Sequence, residues 1–420
     1  MSATNDVQAP PRCPYMSGVA FDPLLPEQAG EPYPWLEVAR EECPVFFWPQ
    51  HNVWCVTRYQ DINLILRDTT TFSNRKTISF DNMSEEFALA FPNERPDRVL
   101  VTLDPPEHNR LRRLAQAAFS KSLVESKRAE VRGLCHQLID AFADKGSADL
   151  VRDFADRLPV QVITRLVGAP IERTAFFRQC ALDRVSMLTG APDFSRQERA
   201  ALLERALAFN EWMHAFIEER RDHPRDDLAS TLVHATTKEG DPALTTPEIL
   251  GLIATILSAG STSTGHLITM MLLELLSHPD QWNELVADRS LVPAAIEETL
   301  RYRSPVQGVL RVTTREVDVG GVTIPEGADV YLYYASADRD PSAFADPDKF
   351  DIHRQDVGRH MGFGRLVHFC LGAPMARLEA EEALNAFLDR LPSMRLVEGR
   401  EERWIPNLLS PGLQNLPVTW

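Results

Sequence analysis

His360-Met361-Gly362-Phe363-Gly364-Arg365-Leu366-Val367-His368-Phe369-Cys370-Leu371-Gly372-Ala373-Pro374, continuing as Met375-Ala376-Arg377-Leu378-Glu379, puts a cysteine where a glycine-punctuated loop opens a long amphipathic helix. The first turn of a helix has unpaired N–H groups and partial positive charge, and both lower a cysteine pKa. At that position the thiol is expected to favour its ionised form. A thiolate there is either a nucleophile or an axial metal ligand, and its neighbours decide which. A cysteine met alone is more often a small buried hydrophobe. The remainder of the chain has to carry the stronger reading.

Phe363 and the glycines suit a loop lying flat against a large planar group, while Arg365 and His368 add positive charge. That combination reads as a haem-thiolate loop, in which cysteine donates electron density to iron. The loop resembles that of the cytochromes P450, Phe-Gly-x-Gly-x-His-x-Cys-x-Gly. It matches at Phe363, Gly364, His368, Cys370 and Gly372, and departs at Leu366, where the pattern has glycine. Three further segments match in order: Glu298-Thr-Leu-Arg301, Asp104-Pro-Pro-Glu-His108-Asn-Arg-Leu-Arg112, and Phe344-Ala-Asp-Pro347-Asp-Lys-Phe350-Asp-Ile-His-Arg354. The resemblance covers residues 21–420.

It implies a mainly α fold with small β-sheets, haem b (iron protoporphyrin IX) as cofactor, and Cys370 as the ligand of the iron. His108, Arg112, Arg311 and His368 match the positions that hold the haem propionates, with Phe363 against the haem. Buried carboxylates need cationic or N–H partners, and arginine supplies them in bidentate geometry. Arg110, Arg112 and Arg113 cannot all point inward from one helix; Arg112 is assigned inward, and Arg110, Arg113 and Arg365 to a basic surface for an acidic electron carrier. Glu298 and Arg301 lie i,i+3 on one helical face and, joined by Arg354, brace the cysteine loop structurally. A Glu-x-x-Arg elsewhere would be a weak surface pair.

The substrate pocket implied is apolar: Leu252, Ile256, Ala259 and Gly260 on a long helix, Val306 and Val309 after the Glu-x-x-Arg helix, Leu408 and Leu409 near the C-terminus, and Phe80 and Phe87 in the loop before residue 104. In Ala259-Gly260-Ser261-Thr262-Ser263-Thr264 the family has an acid followed by threonine, which relay protons during oxygen activation. Here Thr262 takes the acid's place and Ser263 the alcohol's. A hydroxyl without an acid beside it is a poor donor, so the relay is expected to be impaired.

The activity implied is insertion of one oxygen atom from O2 into a small or medium hydrophobic molecule. The electrons are expected from a ferredoxin, or a flavodoxin, with its reductase. Thr262 and Ser263 keep open a peroxide-using oxygenase or an oxidative coupling or cyclisation enzyme. A haem protein that only binds or senses a ligand is the alternative of another class.

With 420 residues, 44% of them hydrophobic, the chain can bury a large core, and no linker or repeat divides it. One domain spanning residues 1–420 is expected, with residues 1–20 a flexible N-terminus. A net charge of −16 argues against a nucleic-acid partner. Cys13, Cys43, Cys55, Cys135, Cys180 and Cys370 show no paired spacing, which argues against a disulfide framework or zinc site and fits a reducing cytoplasm. Neither a secretory signal nor an apolar run long enough for a membrane anchor is visible.

Periodicity gives the layout. Residues 45–48 and 53–57 read as a β-hairpin. Residues 60–66, 107–119, 125–145, 155–166 and 197–221 read as helices, and 308–332 as sheet. Thr246-Pro247-Glu248 reads as a helix start with a capping hydroxyl. That helix is expected to run to residue 278 and, being apolar on most faces, to be central and buried.

Overall fold

Thr246–Ser277 is a single helix of 32 residues and the axis on which the other elements pack. Its N-terminus is closed by a capping box: the Thr245 side chain accepts from the Glu248 N–H, and the Glu248 carboxylate accepts from the Thr245 N–H. The cap is thus Thr245, one residue earlier than the sequence signal at Thr246. Pro247 sits in the first turn, where no intrahelical N–H is needed. Residues 249–258 are buried apart from Thr255, and 264–276 apart from His266. Between them, 259–263 keep solvent contact.

This computed structural model describes residues 22–77, 99–116, 119–188, 195–237, 239 and 243–420. Helices Leu158–Val167, Thr174–Leu188, Val292–Tyr302 and Ala373–Arg390 lie against the central one. Their apolar faces merge with it into the main core, which includes Ile163, Leu166, Ile268, Leu272, Leu300 and Leu384. Two smaller apolar clusters flank a five-stranded sheet. Its order is Val45–Trp48, Val53–Val56, Asp329–Tyr333, Gly308–Thr313, Phe72–Ser73. The first pair is the hairpin expected from the sequence, in register Val45↔Val56. Residues distant in sequence complete the sheet: Val53–Val56 runs parallel to Asp329–Tyr333, which pairs antiparallel with Gly308–Thr313.

Two helix expectations change. The stretch 125–145 is not one helix: Lys121–Ser126 ends, Arg128–Asp140 restarts, and Ala143–Lys145 is a separate 3-10 turn. At the break the Ser126 hydroxyl donates to the Leu123 carbonyl at 2.6 Å, competing with the helical ladder. The helix expected at 155–166 begins only at Leu158, with Pro159 in its first turn, after a wider π turn at Val151–Ala155. Cys43 is disulfide-bonded, which the scattered spacing does not predict, whereas Cys55, Cys135, Cys180 and Cys370 are free thiols.

Candidate functional site

The loop before helix Ala373–Arg390 is tied into tight turns. The Cys370 N–H donates to the Phe363 carbonyl (2.8 Å), Gly364 N–H to Met361 (2.7 Å), and Phe369 N–H to Leu366 (3.1 Å). Gly364 has φ +66°, which glycine adopts freely. Leu366 has φ +58°, the same left-handed region, at the position where the family pattern carries glycine. The departure noted in the sequence is therefore a leucine held in a glycine conformation, and its side chain is 45% exposed. A left-handed L-residue costs about 1–2 kcal/mol, partly offset by the smaller chain entropy that leucine loses on folding. Leu366→Gly is expected to stabilise the loop by about 0.5–1 kcal/mol. Slower thermal loss of the carbon monoxide band of the reduced protein would show it; faster loss would contradict it.

The Cys370 side chain keeps contact with solvent, yet burial by the surrounding protein raises its thiol pKa above the ordinary value. The N–H groups of Gly372 and Ala373 and the charges of Arg112 and Arg377 pull the other way without overcoming it. The helix start does assist the thiolate, as expected, but burial dominates. A metal ion bound there would favour the ionised form. Beside it, the Arg377 guanidinium lies 4.5 Å from the centre of the Phe363 ring. Arg377 is held by a two-pronged ion pair to Glu297 at 2.6 and 2.8 Å, which His360 joins at 3.0 Å. Burial opposes ionisation of Glu297, but the Arg377 and His360 hydrogen bonds pull its pKa down to about 2.

His108, Arg112 and Arg311, from two distant segments, gather around His368 of this loop. The His108 and His368 rings are 4.1 Å apart. Burial, then the charges of Arg311, His108 and Arg112, depress the His368 pKa to about 2. The buried His368 Nε2 has no hydrogen-bond partner among the described residues. Arg311, 4% exposed, donates to the carbonyl of Leu310 at 2.7 Å and to Thr77 at 3.2 Å. Its ionisation is disfavoured by burial, as is that of Arg112. Two guanidiniums and two imidazoles crowd together, and the Asp104 carboxylate, bonded instead to Ser73 and Asn74, acts on His108 and Arg311 only at a distance. Such a cluster calls for an anion. The two carboxylates of a haem would fit this donor set, with Cys370 available to hold its iron.

Glu298 and Arg301 are completely buried and paired side-on, with Arg301 Nε and Nη2 each donating to a Glu298 carboxylate oxygen at 2.8 Å. Arg301 also donates to the carbonyls of Asp338 (2.9 Å), Pro347 (2.7 Å) and Lys349 (3.0 Å). Arg354 completes the triad at 3.1 Å from Glu298. The Asp338 carboxylate in turn accepts the Met361 N–H at 2.7 Å. The brace thus reaches the start of the cysteine loop.

On the central helix the Ser263 hydroxyl donates to the Ala259 carbonyl at 2.7 Å, while no hydrogen bond of Thr262 is seen among the described residues. Ala259 and Gly260 are accessible, but Leu252 (2% exposed) and Ile256 (9%) sit in the main core. Val306, Val309, Leu408 and Leu409 are half-buried. Phe80 and Phe87, like residues 1–20, lie outside the described residues. Arg110 is paired with Glu248 and also donates to the Ala243 carbonyl at 3.2 Å, and Arg365 donates to the Tyr59 hydroxyl and the Arg359 carbonyl. Of the expected basic surface, Arg110 is offset by Glu248, whereas Arg365 is bonded to neutral oxygens and keeps its charge, and Arg113 is exposed without an ion-pair partner among the described residues. His266, which contacts Ser410 at 3.0 Å, carries no sequence signal at all.

The family model "Cytochrome P450" matches residues 35–405. The monooxygenase PikC of Streptomyces venezuelae is 37% identical over 402 residues, covering 93% of this chain and 92% of the relative. The 6-deoxyerythronolide B hydroxylase of Saccharopolyspora erythraea is 34% identical over 381 residues, 89% and 92%. The P450 haem domain of Tepidiphilus thermophilus superposes with TM-score 0.88 at 32% identity, covering 97% of each chain. Fold and thiol loop together define a haem-thiolate oxygenase. The chain belongs to the cytochrome P450 family and is a monooxygenase with haem b as its cofactor. No helix among the described residues is long and apolar enough to cross a membrane.

Proposed function

We propose that this P450 oxidises a hydrophobic natural product of medium size, with electrons delivered by a separate ferredoxin-type protein. Convergence of His108, Arg112 and Arg311 on the unpartnered His368, directly beside Cys370, carries the reading. These four would hold the propionates and Cys370 the iron; when bound, the haem supplies dioxygen activation. The accessible stretch 259–263, with Val306, Val309, Leu408 and Leu409, would line the substrate side. Relatives named for 6-deoxyerythronolide B, mycinamicin IV and polyketide biosynthesis make molecules of that kind the first to try. Leu366 and Phe369, exposed within the cysteine loop that also carries Arg365, would offer the carrier an apolar contact next to a positive charge.

The test is turnover of 6-deoxyerythronolide B, mycinamicin IV and related macrolides by the haem-loaded protein with a ferredoxin, its reductase and labelled O2. Labelled oxygen in a product supports the proposal. Failure with every such substrate that shifts the haem absorption overturns it. Charge reversal at Arg113 is expected to slow the first electron transfer at low salt without altering substrate affinity.

A second reading is favoured by one observation: the Ser263 proton is already engaged with the Ala259 carbonyl, and no acid stands at Thr262. Ser263 can accept a hydrogen bond from water but is a poor proton source. Product formation from hydrogen peroxide exceeding that with O2 and electrons would favour a peroxygenase. In either case Ser263→Ala is expected to retain product formation within about tenfold, far less than the loss of a positioned general acid. A collapse of turnover would show that the serine carries the relay alone.

A further inference from the structure

The C-terminal hairpin is too short to fix its own tip. Its strands Trp404–Ile405 and Gly412–Leu413 pair at two positions only, Trp404↔Leu413 and Ile405↔Gly412. A two-stranded ribbon of that length is marginal alone, so the placement of the tip depends on outside anchors. Two of them come from the sheet side: the Tyr331 hydroxyl donates to the Leu408 carbonyl at 2.5 Å, and the Gln307 N–H to the Leu409 carbonyl at 2.8 Å. The Asn407 side chain closes the turn by accepting from the N–H groups of Leu409 and Ser410, each at 2.9 Å.

The hydrogen bond from the central helix to the tip is His266 Nδ1 to Ser410 Oγ, 3.0 Å. Gly412 lies under the other edge of the same ring, and a Cβ there would run into the imidazole. The ring is thus gripped between a hydroxyl and a bare backbone. Burial holds the His266 pKa down at about 4, so the imidazole is neutral and can accept from Ser410 or donate to it. His266 stands four residues after Thr262 and three after Ser263, on the same helical face. The tip is therefore tied down one turn beyond the accessible stretch 259–263.

We propose that His266 is a specificity-determining positioning residue, which by holding Ser410 sets how far Leu408 and Leu409 reach over the Thr262–Ser263 face of the central helix. This rests on that face belonging to the substrate pocket. His266 touches neither substrate nor cofactor in this scheme; it acts through the tip. Ligands long enough to meet the tip should sense the clamp, and ligands confined to the neighbourhood of the iron should not.

The experiment compares the haem-loaded wild type with Ser410→Ala, which deletes one hydroxyl and is the least disruptive change, and with His266→Ala. Soret titrations use imidazole, which reaches the iron alone, and clotrimazole, which also fills the volume beyond it. Hydrogen–deuterium exchange over residues 407–413 locates the change. The reduced carbon monoxide band should be kept and imidazole affinity should stay within about twofold, whereas clotrimazole affinity shifts about fivefold, the scale of one buried hydrogen bond. Exchange in 407–413 should rise in both variants. An unchanged clotrimazole-to-imidazole ratio in both variants overturns the proposal whatever exchange does. Equal weakening of both azoles also overturns it, because the haem site and not the tip was then disturbed. A wild type without the thiolate-type carbon monoxide band would instead overturn the pocket assignment underneath, and the two failures are told apart by that spectrum.

Discussion

Cys370→His is expected to abolish monooxygenation and to replace the long-wavelength carbon monoxide band of the reduced protein with a globin-like one. Thiolate donation is what favours O–O cleavage, and an imidazole does not supply it. The local structure sharpens the expectation. Because burial raises the Cys370 thiol despite the N–H groups of Gly372 and Ala373, the loop alone does not make a thiolate. A bound iron would add the remaining pull toward the thiolate. Arg377 and Phe363 should therefore influence how firmly the thiolate is retained, since the guanidinium caps the ring packed in the same loop. A globin-like band in freshly reduced, undenatured wild type would sink the assignment of Cys370. So would a Cys370→His protein that still inserted oxygen at the wild-type rate.

The parts of this molecule legible in its sequence are those written in local patterns. The long helix announced itself through continuous apolarity and a Thr-Pro-Glu start. Its cap lies one residue earlier because Thr245 and Thr246 both offer a hydroxyl, and only geometry chooses between them. Val45–Trp48 and Val53–Val56 were legible as a hairpin for the same reason. What stayed hidden depends on contacts between distant residues. Nothing around Arg110 indicates its pairing with Glu248, 138 positions away. The grip of His266 on Ser410 spans 144 positions. The thiol expectation failed on magnitude: the helix start acts in the predicted direction, but desolvation is set by packing that a one-dimensional reading cannot weigh. Leu366 is the intermediate case. Its departure from glycine was visible, and a pattern glycine is itself a sign of left-handed backbone, so its conformation could have been anticipated.

Removing Glu298 is expected to cost about 3–5 kcal/mol, because Arg301 and Arg354 would be left as buried charges without their carboxylate. Against a total stability of about 5–15 kcal/mol, such a loss should appear as poor haem loading and an early denaturation midpoint. Glu218 and Arg221 provide the contrast. They have the same i,i+3 spacing at 3.2 Å but are exposed, with side-chain accessibilities of 59% and 38%. Glu218→Ala should change stability by less than about 0.5 kcal/mol. Replacing a buried ion pair with apolar groups can be neutral or even stabilising, but that escape is closed here. Arg301 also serves the carbonyls of Asp338, Pro347 and Lys349. Glu298→Leu combined with Arg301→Met would strand three buried acceptors in the segment leading to the cysteine loop. Arg301→Lys should fail as well, since an ammonium cannot span a carboxylate edge and three separate carbonyls in the plane that guanidinium covers. Denaturant unfolding of the haem-loaded proteins decides the matter. A cost below about 1 kcal/mol for Glu298→Ala would mean that the meander is held by its backbone and packing, and that the triad is only a passenger.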